Sequence, residues 1–180
     1  MITERSACPL CGKKAEFLAR ETYTDPKEGV LYTLYECAIC TGSFWEPLKN
    51  PGAEWYGHDE RYADRNKTPI LEAQWKHKKV ISFLAPLTGS VFDVGCGVGN
   101  FLAWAKKNGW ETWGIDFDED AVLAGKRTFG LENLFVSDIA AFAREHANER
   151  FDLVTFFDVL EHIDNHNEFM ATVQNLLKDG

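Results

Sequence analysis

A glycine-rich turn between a buried strand and a helix is the feature that most constrains how this chain folds. The run VFDVGCGVGN, residues 91–100, starts with apolar strand-forming residues and continues with glycines at positions 95, 97 and 99. Glycine lets the backbone approach a ligand closely, and the helix that follows presents free N–H groups in its first turn. The run therefore predicts a nucleotide-type cofactor site at the end of a strand in an α/β sheet.

The spacing of these glycines argues against a dinucleotide cofactor. A dinucleotide fingerprint needs G-x-G-x-x-G, and Asn100 stands where its third glycine would be. Asp93, two residues before the first glycine, is wrong for a pyrophosphate but suits the ammonium of an amino-acid-bearing cofactor. Asp116 comes 21 residues after Gly95, at the end of the second predicted strand, where an acid accepts both ribose hydroxyls. Asp138 closes the third strand, where it is placed to accept a hydrogen bond from an adenine amino group.

Strands and helices alternate after Pro86, which predicts right-handed βαβ crossovers and a parallel sheet covered on both faces. The predicted strands are Ser90–Val94, Glu111–Asp116, Asn133–Val136 and Phe151–Phe157. The predicted helices are Asn100–Asn108, Asp120–Phe129, Ile139–His146 and Asn167–Lys178. The expected fold class is α/β, a Rossmann-like parallel sheet that stops after its fourth strand, with a small N-terminal zinc-ribbon-like β module.

The motifs of this region resemble the class I S-adenosylmethionine-dependent methyltransferases. The resemblance covers Val91 to Gly180 and rests on VFDVGCGVG, WGIDFDEDAV, VSDI and FDLVTFFDVLEHI. It implies that the glycine loop holds the methionine part of the cofactor, that Asp116 holds the ribose, and that Asp138 lies by the adenine. The cofactor contacts that it implies are Asp93, Gly95, Cys96, Gly97, Gly99, Asp116, Asp138, Phe157 and, at the adenine ring, Phe117 or Ile139. The alternative is a glycine turn in another doubly wound domain, with the acids solvated at strand ends.

The stretch Asp158-Val159-Leu160-Glu161-His162 follows the fourth strand at its carboxyl end, where ligands bind in open α/β sheets. A methyl acceptor that carries a proton needs a base, and an ordinary histidine pKa of about 6.5 suits His162 to that role. The stretch also resembles the E-x-L-E-H motif of ubiquinone-pathway O-methyltransferases, in which acids and the histidine hold a divalent metal. We therefore expect His162 and Asp158 as catalytic candidates. A purely structural role, in which the stretch caps the strand and leads into a helix, stays open.

Four of the five cysteines form two C-x-x-C pairs, Cys8 with Cys11 and Cys37 with Cys40. Each pair places two thiolates on a tight turn followed by a glycine, and two such turns complete a tetrahedral site for zinc. Four thiolates leave no open position for a substrate, so the expected role is structural. Disulfides are the competing interpretation, and a redox pair is disfavoured because neither motif opens a helix in a βαβ unit.

The predicted domains are a zinc-binding module at residues 1–50, a linker at 51–68 and the cofactor-binding domain at 69–180. The module carries strand-like runs at Glu16–Ala19 and Val30–Glu36, separated by the turn DPKEG at residues 25–29. After Thr68 and Pro69, apolar residues recur at helical spacing as far as Leu84, with Lys78 on the same predicted face.

The distribution of charge bears on the partners, because all of the net −9 lies after residue 85. An acidic domain repels a phosphate backbone, so nucleic acid is a poor partner and a small-molecule methyl acceptor is expected. No apolar run is long enough for a membrane span or a secretory signal, so the expected location is cytoplasmic. The arrangement resembles two other pairings of zinc module and methyltransferase domain: deoxysugar C-methyltransferases, and ribosomal-RNA guanine methyltransferases that use three cysteines and a histidine. The alternatives are an RNA methyltransferase and a zinc-bearing interaction module with a non-catalytic cofactor domain.

Proteins of the resembling family carry about seven strands, and this sequence supplies four. The fourth strand, FDLVTFF, would then be an edge with unpaired backbone groups and two apolar faces. The sequence therefore predicts a truncated product or self-association through this strand.

Overall fold

The computed structural model describes residues 5–26, 28–48, 74–84 and 87–179. The chain divides into two compact units, one formed by residues 1–50 with 163–170 and the other by residues 51–162 with 171–180. The predicted linker, residues 51–68, lies outside the described residues.

The first unit is built on a three-stranded antiparallel sheet in the order β1-β2-β3. The strands are β1 (Phe17–Thr24), β2 (Leu31–Cys37) and β3 (Ser43–Glu46). The predicted turn joins β1 and β2, with Asp25 Oδ1 accepting a hydrogen bond of 2.9 Å from the Glu28 N–H. β1 is longer than predicted because its pairing with β2 continues to the pair Thr24 and Leu31. β3 was not predicted.

A small aromatic and cysteine core lies in this unit. Cys8 and Cys37 are buried together with Tyr35 and Phe44, and the Phe17 ring packs edge-on against Phe44 with centroids 5.3 Å apart. A core of this size stabilises a module weakly by itself, since domains this small usually need a metal or disulfides as well.

The second unit holds a four-stranded parallel sheet in the order β6-β5-β4-β7. The strands are β4 (Ser90–Val94), β5 (Glu111–Asp116), β6 (Asn133–Val136) and β7 (Leu153–Thr155). From β4 the chain adds β5 and β6 on one side and then crosses to add β7 on the other side. Ligands bind at the carboxyl ends of the strands where the order switches in this way, between β4 and β7. The predicted fold class, a Rossmann-like parallel sheet with a separate antiparallel N-terminal sheet, is confirmed.

The helices within the described residues are α1 (Trp75–Leu84), α2 (Asn100–Lys107), α3 (Glu119–Phe129), α4 (Ile139–Glu145) and α5 (His166–Leu176). Capping chemistry explains where α3 and α4 start. Asp118 accepts a hydrogen bond from the Ala121 N–H at the start of α3, and Asp138 accepts one from the Ala141 N–H at the start of α4. Gly130 ends α3 in the left-handed conformation.

The core of the second unit is centred on β4, whose five residues are all buried. Phe92 stacks between Phe142 and Phe151, with centroid distances of 4.4 and 5.0 Å. Leu102 from α2 and Leu134 from β6 are fully buried as well. A parallel strand covered on both faces requires such an apolar run, which is why β4 was predicted to the residue.

β7 is shorter than the predicted strand Phe151–Phe157, because the chain leaves the sheet after Thr155 and turns at Asp158. Before β7, Phe151 forms a parallel bridge with Leu177. The predicted self-association through this strand stays a prediction. None of the described helices is long and apolar enough to cross a membrane.

The buried face of α1 agrees with the predicted face in part. Ile81 is buried and Leu84 packs against the core, as their spacing predicts. Trp75 and Lys78, which the same spacing placed on this face, are exposed, and His77 is buried instead. Leu71, also placed on this face, lies outside the described residues.

Candidate functional site

The glycine loop joins the carboxyl end of β4 to α2. Gly95, Gly97 and Gly99 all have positive φ angles, of 70, 53 and 76°. Residues with a Cβ rarely adopt that conformation, so the sequence needs glycine at each of these positions. At Gly95 and Gly99 a Cβ would also come within 2.6 Å of Val159 and 2.5 Å of Leu131. The N–H groups of Cys96, Gly97 and Gly99 already donate to acceptors of the protein. The N–H groups in the first turn of α2, which lack partners within the helix, are those left for a ligand.

Cys96 lies in this loop with its thiol turned toward β5. The Sγ atom is 3.0 Å from the point where a Cβ on Gly114 would lie. Burial raises the pKa of the Cys96 thiol, as do the neighbouring charges of Asp116 and Asp93. Its side chain is thus a packing group. Its N–H donates to the Ile115 carbonyl and its carbonyl accepts from the Gly99 N–H, each at 2.9 Å.

The Asp116 carboxylate connects the end of β5 to the glycine loop. Oδ2 accepts a hydrogen bond of 2.7 Å from the Gly97 N–H, and Oδ1 accepts one of 2.9 Å from the Asp118 N–H. Burial raises the pKa of Asp116, and these backbone donors, together with that of Phe117, oppose the rise. A carboxylate has about four acceptor positions, so about one remains for the ribose hydroxyls that the sequence predicts.

Asp93 lies buried at the end of β4, opposite Thr155 on β7. Thr155 Oγ1 donates a hydrogen bond of 2.7 Å to Asp93 Oδ1. Burial raises the pKa of Asp93 to about 7, with the nearby charge of Asp116 adding to the rise, while Thr155 and Lys76 lower it. The carboxyl is therefore close to half-ionised at neutral pH, and a cationic ligand would complete its ionisation.

The residues predicted at the adenine lie at the carboxyl ends of β5 and β6. Phe117 follows β5 and is 66% exposed, and Ile139 is half-buried at the start of α4. Asp138 uses Oδ1 to cap α4, and its second carboxylate oxygen is left for an adenine amino group. An exposed aromatic side chain beside a capping carboxylate is a suitable surface for a purine ring.

The catalytic candidates lie in the turn after β7. Asp158 has a φ of 57° and its carboxylate forms an ion pair with Lys76 Nζ on α1. His162 lies at the end of a 3-10 turn, Leu160–His162, where its N–H donates to the Val159 carbonyl at 2.9 Å. Among the described residues, the four N-terminal cysteines alone form a group able to hold a metal ion. The structure thus does not bring Asp158, Glu161 and His162 together as metal ligands.

Lys76 and His77 on α1 are site residues that the sequence analysis missed. Lys76 Nζ lies 5.6 Å from the centroid of the Phe157 ring, and the His77 ring lies 4.9 Å from the same ring. His77 is 6% exposed, and its Nδ1 has no hydrogen-bond partner within the described part of the chain. Burial lowers the pKa of His77, so the ring is neutral at pH 7. The signal in the sequence that could have found them was a histidine on the helix face that points into the core.

The four cysteine Sγ atoms of the first unit lie within 4.8 Å of one another, and those of Cys8 and Cys40 are 3.8 Å apart. Sulfurs on a tetrahedral zinc ion at about 2.3 Å would be roughly 3.8 Å apart, so the donor set fits the metal. All five cysteines are free, so the structure forms no disulfide among them. A backbone N–H from Cys40 lowers the pKa of Cys37 to about 7, whereas burial raises the pKa of Cys8. Bound zinc would favour the thiolate form of each ligand.

The turns that carry the cysteines differ in one detail from the expectation. Gly12 has the positive φ that was predicted after the first pair, at 70°. After the second pair that conformation falls on Thr41 instead of the glycine that follows it. Gly42 is required for space, because a Cβ there would lie 2.5 Å from Leu10.

Comparison with known proteins places the second unit in context. Residues 60–180 match the family model described as a methyltransferase domain. Several curated relatives are named ubiquinone biosynthesis O-methyltransferase. The one from Glaesserella parasuis is 30% identical over 49% of this chain and 41% of its own length. The one from Pseudoalteromonas translucida is 31% identical over 56% of this chain and 46% of its own length. A third, from Acinetobacter baumannii, is 25% identical over 71% of this chain and 54% of its own length. The chain spans about half the length of the curated relatives it matches.

Solved structures give the same fold. The plantazolicin methyltransferase BpumL, in complex with a pentazolic desmethylPZN analog and SAH, superposes with a TM-score of 0.57 at 18% identity, over 69% of this chain and 52% of that one. A TehB-like SAM-dependent methyltransferase from Corynebacterium glutamicum superposes with a TM-score of 0.53 at 21% identity, over 69% and 66%. At these identities the likeness concerns the fold alone.

Proposed function

The chain belongs to the methyltransferase domain family, and from this premise we propose that it binds S-adenosylmethionine and transfers the methyl group to a small-molecule acceptor. One observation carries the proposal: the carboxylate of Asp116 and the positive-φ glycines form one hydrogen-bonded unit at the carboxyl edge of the sheet. A ligand with a ribose at one end and an amino acid at the other matches the donors and acceptors of that unit.

Each predicted contact has a chemical role in this proposal. The glycine loop and the first-turn N–H groups of α2 bind the methionine part, and the buried carboxyl of Asp93 favours its ammonium group. Asp116 accepts a hydrogen bond from the ribose. Phe117 and Ile139 pack on the adenine ring, and Asp138 accepts a hydrogen bond from its amino group. Cys96 lines the site as part of the glycine loop, and Phe157 forms an apolar wall.

When bound, the cofactor supplies an electrophilic methyl group, and the chain's task is to align the acceptor and exclude water. His162 follows the turn after β7, at the edge where an acceptor would lie, and is the base proposed for an acceptor that carries a proton. Asp158 was the second catalytic candidate, and its ion pair with Lys76 favours a supporting role instead.

A small-molecule acceptor is supported by charge and by the names of the relatives. All of the net −9 lies after residue 85, which disfavours a nucleic acid. The curated relatives are named for ubiquinone biosynthesis.

The proposal for the first unit is a structural zinc site held by Cys8, Cys11, Cys37 and Cys40. Two of these cysteines are part of the buried core, so the metal would link the turns before β1 and after β2 into one module. The domain boundaries proposed are 1–50 for this module and 69–180 for the cofactor-binding domain.

Calorimetry tests the proposed function most directly. The chain should bind S-adenosylmethionine and S-adenosylhomocysteine and should not bind NAD. Asp116→Ala should reduce cofactor affinity by roughly 1.5–3 kcal/mol, because the ribose hydroxyls lose a charged acceptor. Glu132→Ala, which removes an exposed acid between α3 and β6, is the control and should bind as the wild type does. Binding of NAD, or equal affinity in the Asp116→Ala variant, would refute the proposal.

A further inference from the structure

Asp158 adopts a backbone conformation that its own side chain does not favour. Its φ of 57° lies in the left-handed region, which residues with a Cβ rarely occupy. Such a conformation persists only where the surroundings hold it, and it often occurs at functional sites. The contact that holds Asp158 is the ion pair with Lys76, which lies 82 residues earlier in the sequence.

Lys76 is the better-buried partner of this ion pair. The side chain of Lys76 is 22% exposed, whereas that of Asp158 is 74% exposed. Its ammonium also lies over the face of the Phe157 ring, at 5.6 Å from the centroid, so it contacts two consecutive residues of the turn. α1 is thereby attached to the turn by one charged group and by one aromatic face.

The turn formed by residues 157–159 packs directly on the glycine loop. Val159 Cγ2 fills the space that a Cβ on Gly95 would occupy, at 2.6 Å from that point. Phe157 packs edge-on against Phe101 in the first turn of α2, with centroids 5.0 Å apart. A displacement of the turn would therefore change the loop at its first glycine, which is the end proposed for the methionine part of the cofactor.

We propose that Lys76 is a positioning residue of the cofactor site: through its ion pair with Asp158 it holds the turn of residues 157–159 against Gly95. This inference rests on the proposed function, and it gives Asp158 a task in retaining the amino-acid end of the cofactor. His77, the next residue of α1, packs on Phe157 and Phe101 and supports the same arrangement.

Two thioethers that differ only at the amino-acid end test this proposal. S-adenosylhomocysteine carries the amino-acid chain, and 5′-methylthioadenosine carries a methyl group in its place. Calorimetry on the full chain would compare the wild type with Lys76→Met, Asp158→Asn, the double variant and Lys76→Arg. Lys79→Met is the matched control, because Lys79 is an exposed lysine of the same helix.

Lys76→Met should weaken S-adenosylhomocysteine binding roughly five- to tenfold, because it removes both the ion pair and the cation–π contact. Asp158→Asn should weaken it roughly two- to fivefold, because it removes the ion pair alone. Methylthioadenosine affinity should change less than about twofold, since it makes no contact at that end. The double variant should lose no more than Lys76→Met, because that variant already removes the ion pair. Lys76→Arg should retain most of the affinity, and Lys79→Met all of it.

The remaining outcomes overturn the proposal in distinguishable ways. Equal loss for both thioethers would mean a general effect on folding. A loss in Lys76→Met without a loss in Asp158→Asn would mean that Lys76 contacts the ligand directly. Unchanged affinity in both single variants would remove the ion pair from the site, and a wild-type chain that binds neither thioether would refute the proposed function itself.

Discussion

Cofactor binding should release a proton from Asp93. Burial raises the pKa of this carboxyl to about 7, roughly three units above that of an exposed aspartate. About half of the molecules therefore carry the protonated form at pH 7, and nearly all do at pH 5.5. The ammonium of a bound cofactor favours the ionised form. Binding should thus release about half a proton at pH 7 and about one proton at pH 5.5.

Calorimetry of S-adenosylmethionine binding in buffers of different ionisation enthalpy measures this proton. The useful range is pH 5.5 to 7, where the cofactor's own amino group, with a pKa of about 7.7–8.0, stays protonated. The logarithm of the affinity should rise with pH, with a slope of about 1 at the low end that falls to about 0.5 at pH 7. Asp93→Asn retains an acceptor for Thr155 and should bind without this slope. Wild-type heats that do not depend on the buffer would refute the reasoning.

The same raised pKa makes a prediction about stability. In the unfolded chain Asp93 loses its proton near pH 4, whereas in the folded chain it keeps the proton until about pH 7. Between these values the folded state binds more protons, so the free energy of unfolding falls as the pH rises, by about 4 kcal/mol in total. The Asp93→Asn variant should not show this decrease in the free energy of unfolding. Its stability relative to the wild type, measured by urea unfolding, should increase from pH 4 to 7 and then level off.

Three further predictions concern the metal, the packing of the loop and a helix cap. Protein purified without added metal should contain about one zinc per chain, and Cys37→Ser should reduce that content and unfold the first unit on circular dichroism. Gly125→Ala should destabilise the chain by about 1–3 kcal/mol and weaken cofactor binding, since its Cβ would lie 2.6 Å from the Val98 carbonyl oxygen of the glycine loop. Asp118→Ala should cost about 1 kcal/mol in urea unfolding, because the Ala121 N–H loses its acceptor, with cofactor binding the check for a wider effect.

The parts of the fold that sequence reasoning predicted well are those fixed by local chemistry. β4 was predicted to the residue because all five positions are buried, and α3 was within one residue because its cap and its terminal glycine are both visible in the sequence. β3 was missed because four residues of mixed polarity carry almost no periodic signal. β7 was predicted too long because the apolar run continues through Phe157, although the chain leaves the sheet after Thr155.

The residues of the candidate site also divide into those that local spacing predicts and those that it does not. The glycines and Asp116 could be predicted together because their spacing along the chain reflects the βαβ unit directly, and the structure joins them through the Gly97 N–H. Lys76 and Thr155 could not be predicted in this way, because they contact Asp158 and Asp93 across 82 and 62 residues of sequence. Interactions of that separation are determined by the topology of the sheet, and only the strand order β6-β5-β4-β7 brings the residues together.

Negative charge is concentrated at the carboxyl edge of the sheet, and this charge affects which ligands bind there. Asp93 and Asp116 are both buried deeply enough for their pKa values to be raised, and each raises the pKa of Cys96. Lys76 offsets part of this charge, but its ammonium is already held by Asp158. Such an edge carries a cost to the folded chain that a neutral or anionic ligand would not relieve. A ligand with a cationic amino-acid end relieves it, which is why the electrostatics and the glycine spacing favour the same cofactor.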